Sequence, residues 1–309
     1  MKSLNRAIMV SLAVILSGYF IWYTATVFQG QDFGIIANIH VMMAIIIAAL
    51  LYALVIPISG FAWSQLLKAF DDNWSYWLLT SILATTQLAK YIPGNIAQHI
   101  GRASLSIKYG MTLELYLSSI LIETALAAVA SIIVGASFLL VEPIVFDKVV
   151  SHYQESIVAI LFVLLAGGLF YNKVVTIIYS ELAKRDISLS GIEKKGLGLV
   201  LFLYCTNYLI IGLGLWLVAY AMGISSDLNY PLITAAFSLA WFLGFLAPGA
   251  PAGFGVREAV LIFILSGSSP ETKVLAFILA TRLVTLIGDA ISFMIGSLSL
   301  VRRKSKDVS

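Results

Sequence analysis

The sequence predicts an all-α polytopic membrane protein with about six spanning helices and two re-entrant helical hairpins arranged as an inverted repeat. Three observations support this: long apolar runs fill the chain, two further apolar stretches are broken by Pro-Gly, and the two halves match at one offset. Hydrophobic residues make up 60% of the 309 residues and charged residues 11%, whereas soluble domains are about half apolar and a quarter charged. We therefore expect residues 1–309 to form a single membrane domain, with no soluble domain.

Six uninterrupted apolar runs are each predicted to form a spanning helix. A helix rises about 1.5 Å per residue, so roughly 20 residues cross the hydrocarbon core of a bilayer. The run from Ala7 to Val27 is long for the core of a signal peptide, and we expect it to be retained as a helix. The six predicted helices lie near residues 7–27, 39–67, 112–141, 156–173, 197–222 and 273–300.

Two further apolar stretches, 74–108 and 232–266, are interrupted by Pro93-Gly94 and by Pro248-Gly249. Proline lacks the amide hydrogen that a helix needs, and glycine accepts a positive φ, so each pair suits the tip of a re-entrant hairpin. The backbone groups at such a tip cannot face lipid and must face protein or a wet cavity. The alternative is an ordinary spanning helix that proline kinks.

Lysine and arginine accumulate in cytoplasmic segments, so their distribution predicts the orientation. The lysines and arginines collect on one side of the membrane only if each Pro-Gly stretch enters and leaves the membrane on the same side. The first stretch then enters from the cytoplasm and the second from outside. Both termini are then cytoplasmic, and we expect a multi-pass protein of the bacterial cytoplasmic (inner) membrane. The cations on the predicted inner side are Lys2, Arg6, Lys68, Lys108, Lys173, Lys184, Arg185, Lys194, Lys195, Arg302, Arg303, Lys304 and Lys306.

An internal repeat relates the two halves of the chain, about 1–155 and 156–309. Pro93 and Pro248 lie 155 positions apart, and so do Arg102 and Arg257. The same offset superimposes the predicted spans. Because each half contributes three spans and one hairpin, the halves are predicted to have opposite orientation. This pattern is typical of inverted-repeat transporters, whose broken helices mark a substrate site near the midplane.

Seven charged residues lie in or near the apolar stretches, where a charge at a helix centre costs about 2.5–3.5 kcal/mol. Each should therefore face a cavity or another charge. One interpretation is a set of buried ion pairs, such as Glu123 with Arg257 and Arg282 with Asp289. We favour ion pairing or proton coupling for Glu123 and Asp289, and ligand contact for the cations beside the broken helices. The seven residues are Lys90, Arg102, Glu123, Arg257, Glu258, Arg282 and Asp289.

The cations suit the binding of phosphate. A half-helix that begins after a Pro-Gly tip offers free amide hydrogens and a positive dipole end, with Asn95 placed as an N-cap. Arginine adds a planar fork that matches pairs of phosphate oxygens. Two such elements, one opening to each face, predict two phosphate stations built on Arg102 and Arg257. The predicted headgroup-binding residues are Lys90, Tyr91, Asn95, His99, Arg102, Arg257, Glu258 and Arg282.

Two motifs resemble the membrane region of lysylphosphatidylglycerol synthases, a flippase-like family. The first is Tyr91-Ile-Pro-Gly94 followed by Arg102, and the second is Pro251-Ala-Gly-Phe-Gly-Val-Arg-Glu258. In the two-domain synthases this region moves lipid between leaflets, while a soluble domain carries out aminoacyl transfer. That soluble domain is absent from these residues, so the resemblance implies translocation without synthesis.

The leading hypothesis is a flippase for a phosphate-bearing lipid, with a polyprenyl (undecaprenyl)-phosphate-linked sugar favoured as substrate and alternating access as mechanism. The alternatives are a flippase for a phospholipid of the aminoacyl-phosphatidylglycerol type and an ion-coupled transporter of a soluble anion. One cysteine, three histidines and no HExxH or SxxK motif predict no metal, no cofactor and no catalytic residue. Glycosyltransferases of a cell-envelope pathway are candidate partners, and nucleic acid is not expected.

Overall fold

All regular elements in the described part of the chain are helices, which confirms the predicted all-α class. The computed structural model describes residues 33–92, 97–141, 194–246 and 251–306. Short 3-10 helices cover Phe33–Ile35, Gln87–Tyr91 and Pro251–Gly253. The α-helices within these ranges are α1 (Ile39–Ala53), α2 (Val55–Lys68), α3 (Tyr76–Thr85), α4 (Ala97–Lys108), α5 (Leu113–Val141), α6 (Lys194–Ala221), α7 (Tyr230–Leu246), α8 (Val256–Leu265) and α9 (Glu271–Lys306).

Four of the six predicted spans are confirmed as helices that are long and apolar enough to cross a membrane. They occupy Ile39–Lys68, Leu113–Leu139, Gly196–Ala221 and Glu271–Arg302. The other two predicted spans, near 7–27 and 156–173, lie outside the described residues. The chain is therefore a multi-pass membrane protein.

The first described span, Ile39–Lys68, is interrupted at a single residue, Leu54, which the sequence analysis did not predict. Helix α1 ends at Ala53 and α2 begins at Val55. Pro57 explains the interruption, because a proline ring clashes with the carbonyl of the residue four positions earlier and removes one helical hydrogen bond. Here that residue is Ala53, where α1 ends.

Neither arm of the first Pro-Gly stretch is long enough to cross a bilayer alone. Helix α3 has 10 residues and α4 has 12, which corresponds to roughly 15 and 18 Å of rise. In the second stretch, α7 has 17 residues and α8 has 10. The tips themselves, Pro93-Gly94 and Pro248-Gly249, lie outside the described residues, as does Asn95. The re-entrant hairpins therefore remain a prediction that the short arms favour.

The long helix of each half packs against the broken stretch of the other half. Helix α5 contacts α7, and α9 contacts α3. At the 155-residue offset these are equivalent pairs, because α5 corresponds to α9 and α3 to α7. Likewise, α1 contacts α9 while α6 contacts α5. The same contacts thus occur twice within the described residues, and the inverted repeat remains a prediction.

A glycine allows the close approach of α6 and α7. A Cβ atom at Gly212 would lie 2.8 Å from Cβ of Thr234, a side chain that is fully buried. Small residues at helix interfaces in membranes let the backbones approach and gain van der Waals contact. The position therefore tolerates no larger side chain unless the helices separate.

We expect Gly212→Ala to destabilise the protein by about 1–3 kcal/mol, the usual effect of overpacking a close contact. Thr234→Ala removes the hydroxyl and methyl groups that crowd this position, so the double variant should recover part of the loss. Thermal unfolding of the single and double variants in detergent measures the coupling. Additive effects of the two substitutions would show that the contact does not limit the packing.

Candidate functional site

A cavity of about 470 Å³ lies between the two halves of the chain. This volume is within the range of about 300–1,000 Å³ that small-molecule sites occupy. Three cations that the sequence places on separate elements all line the cavity, namely Lys90, Arg102 and Arg257, and Glu123 is the carboxylate among its described lining residues. The structure therefore brings the predicted phosphate-binding cations together in one place rather than in two stations.

Arg102 on α4 is held by a carboxylate and an aromatic ring. Its Nη1 donates to Oε1 of Glu123 at 3.0 Å, and its Nη2 donates to Oε2 of the same carboxylate. The guanidinium carbon lies 3.7 Å from the centre of the Trp63 ring. Only 3% of the Arg102 surface is exposed. A bidentate pair of this kind fixes both side chains and leaves little net charge on the cavity wall.

Lys90 is neutralised by Asp289 of α9. The ammonium nitrogen lies 2.8 Å from Oδ1 and 2.7 Å from Oδ2 of that carboxylate. The hydroxyl of Tyr91 donates to Oδ2 at 2.6 Å. Lys90 also donates to the Tyr52 hydroxyl at 3.3 Å. Because Asp289 is fully buried, this network anchors the arm that precedes the first Pro-Gly tip to α9.

Arg282 of α9 is neutralised by Glu258 of α8. Its Nε donates to Oε1 of Glu258, and its guanidinium carbon lies 4.4 Å from the centre of the Phe254 ring. The other oxygen of Glu258 accepts the amide hydrogen of Gly255 at 2.8 Å. Glu258 thus caps the N-terminus of α8 with a negative charge, as the helix dipole favours.

Arg257 is the remaining cation of the seven intramembrane charges, and no described residue forms an ion pair with it. Four cations and three carboxylates leave one positive charge unmatched once Glu123, Asp289 and Glu258 are engaged. The Nε atom of Arg257 is buried and has no hydrogen-bond partner in the described part of the protein. An anion bound at the Arg257 guanidinium would balance this charge.

Two glycines form the slot through which the Arg257 side chain reaches the cavity. A Cβ at Gly244 would lie 2.6 Å from Cγ of Arg257, and a Cβ at Gly253 would lie 2.6 Å from its Nε. Gly253 has a φ of +72°, which also disfavours a side chain. Larger residues at either position would displace the guanidinium without changing its charge.

The predicted ion pairs were wrong in their partners. Glu123 binds Arg102 and not Arg257, and Arg282 binds Glu258 and not Asp289. Spacing in the sequence shows which charges share a helix face, but it does not show which helices are neighbours.

The other predicted headgroup residues fall into two groups. His99 lines the cavity, and its Nδ1 is buried without a hydrogen-bond partner in the described residues. Tyr91, Arg282 and Glu258 stand behind the wall, since they are absent from the described cavity lining and serve the ion pairs. Within the described residues no group of three or more His, Cys, Asp or Glu side chains could hold a metal.

Sequence reasoning missed several polar and aromatic side chains of the wall. Asn207 and Tyr208 of α6 line the cavity, and so does Trp241 of α7. Asn207 donates from Nδ2 to the Ser59 hydroxyl at 3.0 Å, while its Oδ1 is buried without a partner in the described chain. The signal that could have identified Asn207 is an amide side chain in the middle of a long apolar run.

Replacement of Arg102 by methionine should lower the free energy of unfolding, whereas the same replacement of Arg257 should not. Arg102→Met strands the buried carboxylate of Glu123, and we expect a loss of about 3–5 kcal/mol. Arg257→Met removes a charge that has no ion-pair partner among the described residues, so stability in the absence of ligand should be unchanged or higher. Thermal unfolding of the purified variants in detergent compares them.

Glu123→Met combined with Arg102→Met provides the matched control, because it removes both members of the pair and should restore much of the stability. A loss for Arg257→Met as large as that for Arg102→Met would indicate a protein partner for Arg257 and would contradict this assignment.

Comparison with known proteins identifies the family. A search of curated proteins found no match. The family model described as the lysylphosphatidylglycerol synthase TM region matches residues 8–292, nearly the whole chain, and this supports a lipid-related role of the transporter or flippase kind. The motifs Tyr91-Ile-Pro-Gly94 and Pro251–Glu258 lie within the matched residues, as do all the charges of the site. The chain belongs to the family of the lysylphosphatidylglycerol synthase transmembrane region.

Proposed function

We propose that this protein is a flippase that moves a phosphate-bearing lipid across the membrane, with a polyprenyl-phosphate-linked sugar as substrate. The observation that carries the proposal is that Arg257, which lines a cavity between the two halves, forms no ion pair with any residue in the described ranges. An unbalanced charge is expensive inside a membrane and marks a functional site. A phosphate monoanion or diester supplies the missing negative charge and accepts paired hydrogen bonds from the guanidinium.

The proposal uses one phosphate site and not two. Lys90 and Arg102 line the same cavity as Arg257, but Asp289 and Glu123 already neutralise them. Their role is to shape and polarise the wall, while Arg257 provides the net attraction. A cavity of about 470 Å³ accommodates a headgroup. A polyprenyl tail is far larger than that, so it stays in the bilayer.

Alternating access would move the two halves around this shared site. The reciprocal packing of α5 on α7 and of α9 on α3 supports such a motion, because equivalent contacts in both halves allow two related conformations. The proposal places the protein in a bacterial inner membrane, with both termini cytoplasmic and glycosyltransferases as candidate partners. It contains no catalytic step.

Arg257→Gln should reduce the rate of lipid translocation at least tenfold, which corresponds to an increase of about 1.4 kcal/mol or more in the activation free energy. The assay reconstitutes the protein in vesicles with a fluorescent polyprenyl-phosphate lipid and measures the fraction that a membrane-impermeant quencher reaches. Arg257→Lys should give an intermediate rate, because a point charge lacks the planar fork.

Lys68→Gln is the matched control, because Lys68 is exposed in the last turn of α2 and does not line the cavity. A rate for Arg257→Gln equal to that of Lys68→Gln would rule out the phosphate role. Uptake of a soluble sugar phosphate that depends on Arg257, without lipid translocation, would instead favour a transporter of a soluble anion.

A further inference from the structure

The wall beside Arg257 is aromatic and belongs largely to one face of α7. Trp241, Gly244 and Phe245 share that face, since residues three and four positions apart on a helix are neighbours. Gly244 is the residue against which the Arg257 side chain packs. The Arg257 side chain therefore packs on the same face of α7 as Trp241 and Phe245, and all three residues line the cavity.

The rings form a continuous surface. Trp241 and Phe245 are stacked, with centroids 5.6 Å apart and planes 6° apart. Tyr208 of α6 meets Trp241 edge-on, with centroids 5.7 Å apart. The hydroxyl of Tyr208 donates to the carbonyl of Ala127 at 3.2 Å, which fixes the ring. All three aromatic residues line the cavity.

Uncommitted hydrogen-bonding atoms belong to the same cavity lining. Asn207 is 4% exposed, its amide nitrogen is engaged by Ser59, and its Oδ1 lacks a partner in the described residues. Nδ1 of His99 is likewise buried without a hydrogen-bond partner in the described residues. Gln98 also lines the cavity. An unpaired buried acceptor costs about 1–3 kcal/mol unless a ligand or water satisfies it. A neutral headgroup with several hydroxyls would satisfy it.

The charges of the lining disfavour a cationic headgroup. Glu123 is the carboxylate among the described lining residues, and both of its oxygens are taken by Arg102. An ammonium group in the cavity would thus find no free carboxylate and would be repelled by Arg257. The aromatic surface alone offers a cation–π contact, which is weaker than an ion pair between desolvated groups.

We propose that Tyr208, Trp241, Phe245 and Asn207 form a subsite for an uncharged sugar ring next to the phosphate on Arg257, and that this subsite rejects aminoacyl headgroups such as lysyl-phosphatidylglycerol. The inference rests on the proposed function and adds the residues that bind the sugar and exclude a cationic headgroup. The flat apolar face of the sugar lies on the outer face of the stacked Trp241–Phe245 pair. One sugar hydroxyl donates to Oδ1 of Asn207, and others reach His99 and Gln98.

The test measures binding of three probes to the full-length protein in lipid nanodiscs: farnesyl phosphate, farnesyl-phosphoryl-glucose and lysyl-phosphatidylglycerol. The glucose conjugate should bind about tenfold more tightly than farnesyl phosphate, the equivalent of one or two net hydrogen bonds. Lysyl-phosphatidylglycerol should bind most weakly of the three. The decisive quantity is the ratio of the affinities for the glucose conjugate and farnesyl phosphate.

Trp241→Leu and Asn207→Leu should bring that ratio close to one. Trp77→Leu is the matched control for the tryptophan, since Trp77 is 71% exposed and does not line the cavity, and it should leave the ratio unchanged. If the leucine variants fail to fold, the nearly isosteric Asn207→Asp serves instead. It adds a carboxylate to the wall of the cavity. Binding of lysyl-phosphatidylglycerol should improve, while binding of farnesyl phosphate and of farnesyl-phosphoryl-glucose should weaken.

The two proposals fail in different ways. A ratio of one in the unmodified protein, or tightest binding of lysyl-phosphatidylglycerol, overturns the sugar subsite. If Arg257→Gln still weakens farnesyl phosphate binding at least tenfold, the phosphate site stands alone. If Arg257→Gln leaves binding of farnesyl phosphate unchanged, the proposed function itself is wrong.

Discussion

A charge that lies within a bilayer must be balanced, because removing it from water is expensive and lipid offers no partner. Three pairs in this protein meet that requirement internally: Arg102 with Glu123, Lys90 with Asp289, and Arg282 with Glu258. The fourth cation, Arg257, has no such partner among the described residues. The arrangement of the site is consistent with this imbalance, since Gly244 and Gly253 leave room for the Arg257 side chain, which lines the cavity.

Helix α9 connects the balanced charges to the architecture. Arg282 and Asp289 are seven residues apart, which is about two helical turns, so they occupy one face of α9. One binds the arm after the second Pro-Gly break, and the other binds the arm before the first. A single helix therefore holds both broken stretches. Any movement of one half against the other must carry these ion pairs along or exchange them, so they couple the two stretches mechanically.

The helical class and the four described spans were predictable, because hydrophobic run length is a strong local signal. Intramembrane charge likewise singled out Lys90, Arg102 and Arg257, which line one cavity. The ion-pair partners of these charged residues were not predictable from the sequence. Glu123 pairs with Arg102, and Asp289 with Lys90, through the packing of α4 on α5 and of α9 on the Gln87–Tyr91 turn. Such contacts join residues far apart in sequence. The interruption at Leu54 could have been read from Pro57, and Asn207 from its position in an apolar run.

The central claim is that a bound lipid phosphate supplies the negative charge that Arg257 lacks. The most direct measurement is a cryo-EM structure of the protein in nanodiscs with a polyprenyl-phosphate lipid bound. The predicted result places the phosphate within hydrogen-bonding distance of the Arg257 guanidinium, in the cavity that Arg102 and Lys90 also line. A phosphate bound elsewhere, with Arg257 paired to a protein carboxylate, would contradict it.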